Sequence, residues 1–205
     1  PPDDVHDTVH SALIVSLIAG VILLVVGLLG SPAMLRLLNT KEDLLPGAIL
    51  YLRVYFLGMP ALALYNFGNA VFSAIGETKK PLYILSFAGV LNILLNLFFV
   101  IVCNLDVAGV ALATIISQTV SACMVTALLL KEEGPLHLDL HKLGFHKGAL
   151  TQILLIGLPA GLQSTVFSLS NVVIQSAINS FGSTVVAGSS ASANLEGFVY
   201  TAMNA

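Results

Sequence analysis

An all-α, polytopic membrane fold is predicted, and three observations predict it. Apolar residues make up 57% of the 205-residue chain and charged residues 9%, where a globular domain runs at roughly 45–50% and about 25%. Residues 148–195 contain no Asp, Glu, Lys or Arg, a run long enough for two membrane crossings of about 20 residues each. Prolines, glycines and the few charges then divide the rest into segments of crossing length. In lipid, a segment must satisfy its own backbone groups, so these runs are read as helices with no sheet. Mean hydropathy is +0.95. A soluble protein of this size could bury a core but could not cover its surface with so few charges.

Six spans follow in order. The first covers 11–35, between Asp7 and Arg36. The second begins at Pro46, which suits a first turn, and runs to 75, where Gly76 closes it. Pro60 lies mid-span and cannot donate to the carbonyl of Phe56, so a kink is expected there. The third runs over 81–103 and the fourth over 108–130. The fifth spans 149–179, with Pro159 early in it, and the sixth opens after 180–184. That last segment is rich in Ser, Ala and Gly and would insert poorly alone. It calls for neighbours in a bundle. The second and fifth exceed a perpendicular crossing and should tilt or bend.

Orientation comes from the basic residues. Lys79, Lys80, Lys131, Lys142 and Lys147 share one side, and only Arg36 and Lys41 lie on the other. The lysine-rich side is expected to be cytoplasmic. Residues 1–10 form a short polar lead without the basic region of a signal peptide. Both ends read as cut, so an internal piece of a longer protein is expected.

Several functions are excluded. The net charge of −3, without a basic cluster, offers nothing to nucleic acid. Cys103 and Cys123 fall in apolar runs and read as small packing residues. The five histidines lie in peripheral segments, with no nucleophile beside them, so neither catalytic residues nor an enzymatic activity are expected. His137, Asp139 and His141 alternate and read as a solvated linker, so no metal site is expected.

The polar residues inside the spans carry the information. Ser164, Ser168, Asn171 and Gln175 share one face of the fifth span, which reads either as interhelical hydrogen bonding or as a hydrated cavity wall. Asn92 and Asn96 share a face of the third, and Asn66, Asn69 and Ser73 one of the second. If these faces converge they line a path. Gly109, Ala113, Ser117 and Ser121 repeat a small residue along the fourth span, and Gly157 and Gly161 open the fifth. Both patterns point to close packing. Arg53 lies about two turns inside the second span and is read as snorkelling to the interface. Glu196 falls inside the sixth, with Ser189 and Ser192 on its face. An intramembrane carboxylate is costly and marks a functional candidate.

Several stretches together resemble the multidrug and toxic compound extrusion (MATE) family. They begin with residues 51–81, YLRVYFLGMPALALYNFGNAVFSAIGETKKP, which end in a Gly-x-Thr-basic-x-Pro turn. Leu91-Asn92-Ile93-Leu94-Leu95-Asn96 and Gly109-Val110-Ala111-Leu112-Ala113-Thr114 follow. Gly157-Leu158-Pro159-Ala160-Gly161-Leu162-Gln163 comes next, then Val186-Ala187. The resemblance implies a two-lobe, twelve-helix transporter of which this chain holds the third to eighth helices. Residues 1–130 are then part of the N-terminal lobe, 131–148 the inter-lobe loop and 149–205 the start of the C-terminal lobe.

The resemblance further implies export of amphipathic or cationic drugs by alternating access, coupled to sodium or protons. No cofactor is implied beyond that ion. The implied partners are the lipid bilayer, small-molecule substrates and the remaining helices of the same polypeptide. The implied location is the plasma membrane, in bacteria the inner membrane. Some members carry Asp at the position of Asn96, and some Glu near Phe167. This chain has neither, which leaves Glu196 as the cation-coupling candidate. Asn66, Asn69, Asn92, Asn96, Gln163, Asn171 and Gln175 remain as candidates for the substrate path. A lipid-linked saccharide flippase of the same superfamily and a non-transporting membrane subunit are the alternatives. The flippase should show several buried basic residues, and only Arg53 is available.

Overall fold

The computed structural model describes residues 2–37, 42, 45–132, 137–138, 144, 146–179, 181 and 183–204. Its helices are α1 (Pro2–Leu37), α2 (Leu45–Leu57), α3 (Met59–Ala74), α4 (Lys79–Leu97), α5 (Asp106–Lys131), α6 (Lys147–Asn179) and α7 (Ser183–Asn204), and no strand occurs among the described residues. The all-α reading is correct. Among the described residues, four helical stretches are long and apolar enough to cross a membrane: 5–37, 79–102, 106–131 and 147–178. The pair α2–α3, bent by 46°, makes a fifth. The predicted sixth span is a helix, α7, but it falls short of that apolarity. Its Ser, Ala and Gly side chains supply too little apolar surface.

The chain divides into two compact units, Pro1–Ile153 and Leu154–Ala205. In the first, α1 packs on α2 and α3, and α5 packs on α2, α3 and α4. Helix α1 begins earlier than the expected 11–35, because the polar lead continues the helix and finds partners for its side chains (below). The break in the second span falls at Gly58. Its amide donates to the Tyr55 carbonyl at 3.0 Å and its carbonyl accepts from Leu62 at 2.9 Å. Pro60 sits in the first turn of α3, where a missing amide costs nothing. The expected kink therefore becomes a full break two residues earlier.

Helix α4 widens into a π-helical turn at Phe98–Val102. The chain then reverses through Asn104 and Asp106, at φ of 52° and 42°, a region that Asn and Asp enter more readily than other residues. The core sits at one end of this unit, where Val9, Leu13, Phe67, Phe72, Ile84, Val125, Leu129 and Leu138 cluster. Leu138 is held there by its amide, which donates to the Leu129 carbonyl at 3.2 Å. Close approach is set by glycines. A Cβ on Gly68 would lie 2.5 Å from a Val125 methyl, and one on Gly20 would lie 2.8 Å from the Pro60 Cα. The small stripe of α5 is buried as expected at Gly109, Ala113, Ser117 and Ser121.

Two packing expectations fail. Cys103 and Cys123 are exposed, not packed: Cys103 follows the π-helical turn just outside the helix, and Cys123 lies on the outward phase of α5. Gly157 and Gly161 have nothing within 4 Å of an added Cβ. They lie on a stretch of α6 that is exposed throughout 154–177, so no helix among the described residues approaches them.

The turn into α4 is clamped to the end of α5. Lys80 Nζ lies 2.9 Å from Glu132 Oε2 and 5.2 Å from the Phe72 ring centroid. Lys80→Ala loses both contacts and is expected to lower stability by about 1 kcal/mol. Glu132→Gln loses only the ion pair and should cost less, with an effect that shrinks as salt rises. Thermal unfolding of the intact protein in detergent checks the order; equal losses would show that the ring contact contributes nothing.

Candidate functional site

Within the first unit, α3, α4 and α5 enclose a cleft of about 280 Å³. Helix α3 lines it with Leu62 and Tyr65, α4 with Leu85, Ala88, Gly89 and Asn92, and α5 with Thr114, Ser117, Gln118 and Ser121. No charged side chain is among these residues. Asn92 is held in place from two sides. Its Nδ2 donates to Ser117 Oγ at 3.1 Å, and its Oδ1 accepts from Asn96 Nδ2 at 3.0 Å. Ser117 in turn donates to the Thr114 carbonyl at 2.9 Å, and Ser121 to the Ser117 carbonyl at 2.9 Å. The back-bonded hydroxyls keep the serine stripe compatible with helix.

Asn96 Oδ1 is buried and has no hydrogen-bond partner among the described residues. A buried amide oxygen without a donor costs about 1–3 kcal/mol, so this atom is the most demanding polar group of the cleft region. Its chemistry is that of a neutral acceptor, suited to a hydroxyl, an amine or a cation.

Of the expected path residues, the structure brings Asn92 and Asn96 together and leaves the others elsewhere. Asn66 is exposed and Asn69 half-buried, and neither lines the cleft. The second-span face was read one position out of phase. Phe67, Gly68 and Phe72 turn inward, so Leu62 and Tyr65 reach the cleft in place of the asparagines. Ser73 and Arg53 are exposed. Gln163, Asn171 and Gln175 lie on the exposed part of α6, and Glu196 is exposed on α7, all in the second unit. Tyr65, Thr114 and Gln118 were missed. Gln118 packs against the break, since a Cβ on Gly58 would lie 2.8 Å from its Oε1. Only its neighbours Ser117 and Ser121, read as packing residues, pointed to this face.

One expectation about the histidines changes. His10 is 0% exposed, so the lead is not merely peripheral. His137 is exposed, with its Nδ1 3.0 Å from the Glu132 carbonyl oxygen, while Asp139 and His141 lie outside the described residues. No group of three His, Cys, Asp or Glu among the described residues is placed to hold a metal.

A bundle of apolar helices around a mostly apolar, uncharged cleft defines a polytopic helical membrane fold, and the comparisons make the class specific. The MatE family model matches residues 2–98. A probable multidrug resistance protein of Bacillus subtilis, YpnP, is 36% identical over 82% of this chain and 38% of its own length. A second from the same organism, YoeA, is 30% identical over 87% of this chain and 40% of its own length. A solved transporter of the MOP superfamily from Pyrococcus furiosus aligns with a TM-score of 0.83 and 26% identity, covering 95% of this chain and 44% of that one. The chain belongs to the MATE family. It spans about two-fifths of the length of the curated relatives it matches.

Proposed function

We propose that this chain is part of a cation-coupled antiporter that exports amphipathic, often cationic, small molecules across the cell membrane by alternating access. In this reading 1–130 belongs to one lobe, 131–148 connects the lobes and 149–205 begins the other. The observation that carries it is the Asn92–Asn96–Ser117 network beside a mostly apolar cleft in a chain of this family. An amide network offers donors and acceptors without fixing a charge, as a site for varied amphipathic compounds requires. The names of the Bacillus relatives, both probable multidrug resistance proteins, support the substrate class. Because the cleft is lined by no carboxylate, coupling to sodium or protons is assigned to Glu196. Asn66, Asn69, Gln163, Asn171 and Gln175 are the further polar positions along the path.

Dye efflux from vesicles carrying the intact transporter, with sodium and proton gradients imposed separately, tests the reading. One gradient should drive efflux, and no efflux under either would overturn it. Asn92→Leu strips the donor from Ser117 and the acceptor from Asn96. It is expected to reduce driven efflux about tenfold, the effect of roughly 1.4 kcal/mol, while insertion is unchanged.

A further inference from the structure

Most polar side chains of the cleft between α3, α4 and α5 are already engaged with their neighbours. Thr114 Oγ1 donates to the Val110 carbonyl at 3.0 Å. Ser117 donates to the Thr114 carbonyl, and Ser121 to the Ser117 carbonyl. Asn92 gives a donor to Ser117 and an acceptor to Asn96. Gln118 is different. It is half-buried and lines the cleft, yet its amide makes no hydrogen bond among the described residues. Two N–H donors and a carbonyl oxygen are therefore open to a ligand. The Tyr65 hydroxyl also lines the cleft, but a single oxygen cannot present a donor and an acceptor side by side.

The place of this amide follows from the helix and from a missing side chain. Thr114, Gln118 and Ser121 are spaced by four and three residues, one face of α5. A Cβ on Gly58 would lie 2.8 Å from Gln118 Oε1 and 3.2 Å from Ile115 Cγ1. The bare glycine at the α2–α3 break thus leaves the amide its room.

The surrounding walls are apolar. Leu62 comes from α3, and Leu85, Ala88 and Gly89 from α4, with no charged residue among the lining. The cleft, at about 280 Å³, lies at the small end of ligand sites, which run from about 300 to 1,000 Å³. Charge on a substrate finds no counter-charge in these walls. What they can read is a flat apolar ring and the pattern along its edge. A carboxamide sets an acceptor beside a donor, and its complement is a ring edge with a donor beside an acceptor. Side-chain amides read the edge of adenine in this way.

We infer that Gln118 is a specificity-determining residue of this cleft, pairing through both ends of its amide with the donor–acceptor edge of a flat heteroaromatic ring. The inference rests on the reading of the cleft as part of the substrate path. Gln118 selects, among rings of similar size and apolarity, those with the complementary edge. Gly58 acts through it, as a positioning residue.

Two uncharged probes test this. 7-Azaindole carries a ring N–H beside a ring nitrogen acceptor, and 1-methyl-7-azaindole lacks the donor. Equilibrium dialysis against the intact protein in nanodiscs, corrected with protein-free nanodiscs, gives both affinities without any gradient. The unmodified protein should bind 7-azaindole about tenfold more tightly, the scale of one or two hydrogen bonds. Gln118→Met keeps the length and bulk of the side chain and should bring the ratio close to one. Gly58→Ala should lower the ratio, because its methyl group displaces the end of a side chain that can move aside. Thr119→Val, exposed and outside the cleft lining, should keep it. Monodispersity reports whether each variant is folded. Equal binding of the two probes, binding of neither, or a ratio that survives Gln118→Met overturns the assignment. Should Gln118→Met fail to fold, the ratios of the unmodified protein and of Gly58→Ala decide. Discrimination that depends on Gln118 in a protein without gradient-driven efflux would overturn only the antiporter reading.

Discussion

Replacing Gly20 with leucine is expected to part α1 from α3 and to leave little folded protein. A Cβ at this position would lie 2.8 Å from the Pro60 Cα, 3.1 Å from the Ala63 Cβ and 3.3 Å from the Met59 carbonyl oxygen. Two of these three atoms are backbone, at the first turn of α3, and cannot swing aside. Nearby, Ser16 Oγ donates to the Ala63 carbonyl at 3.2 Å, a bond that needs the same close approach. Alanine should cost about 1–3 kcal/mol by overpacking, and leucine more than a marginally stable assembly holds in reserve. Gly47→Ala is the control, because nothing lies within 4 Å of its added Cβ. Monodispersity and thermal unfolding in detergent check the series. A Gly20→Leu protein that melts with the unmodified one would show that α1 and α3 do not depend on this contact.

The other large effect is expected at Glu196. A carboxylate on a helix that must lie among other helices is costly unless a cation, a proton or a hydrogen-bonding neighbour accompanies it. Glu196→Gln keeps the shape and most of the hydrogen bonding while removing the negative charge. If Glu196 carries coupling, gradient-driven efflux should fall by at least about tenfold, as for loss of a charged contact worth over 1.4 kcal/mol. Expression and substrate binding without a gradient should be retained. Vesicle efflux measured beside equilibrium dye binding separates the two. Full driven efflux from the Glu196→Gln protein would assign the residue to structure alone.

The helices were legible because lipid and water impose simple demands. A run without charge, long enough to cross, has no alternative to helix, and so α1, α4, α5 and α6 are readable from residue order and hydropathy. The MATE motifs were legible for the same local reason: Gly76 before the Thr78–Pro81 turn and Gly109 at the start of α5 mark ends and close approaches that the chain itself demands. Side-chain phase was not legible on α3. Asn66 and Asn69 looked like a path because they are polar, yet the helix is rotated by Phe67, Gly68 and Phe72, whose fit against α5 outweighs the preference of two amides. Only contact between helices sets that rotation.

The sequence by itself determined an all-helical, membrane-type fold with the motifs of the MATE family, and polar residues confined to a few faces. The tertiary structure alone decided which polar residues meet. Asn92 finds Ser117 across a helix interface 25 positions on, and His146 finds Asp7 and Ser11 across most of the chain. Hydropathy is a property of each segment, whereas a hydrogen bond between segments depends on the rotation and approach of both. Those are settled by packing at residues such as Gly20, Gly58 and Gly68, which carry no side chain to announce their partners.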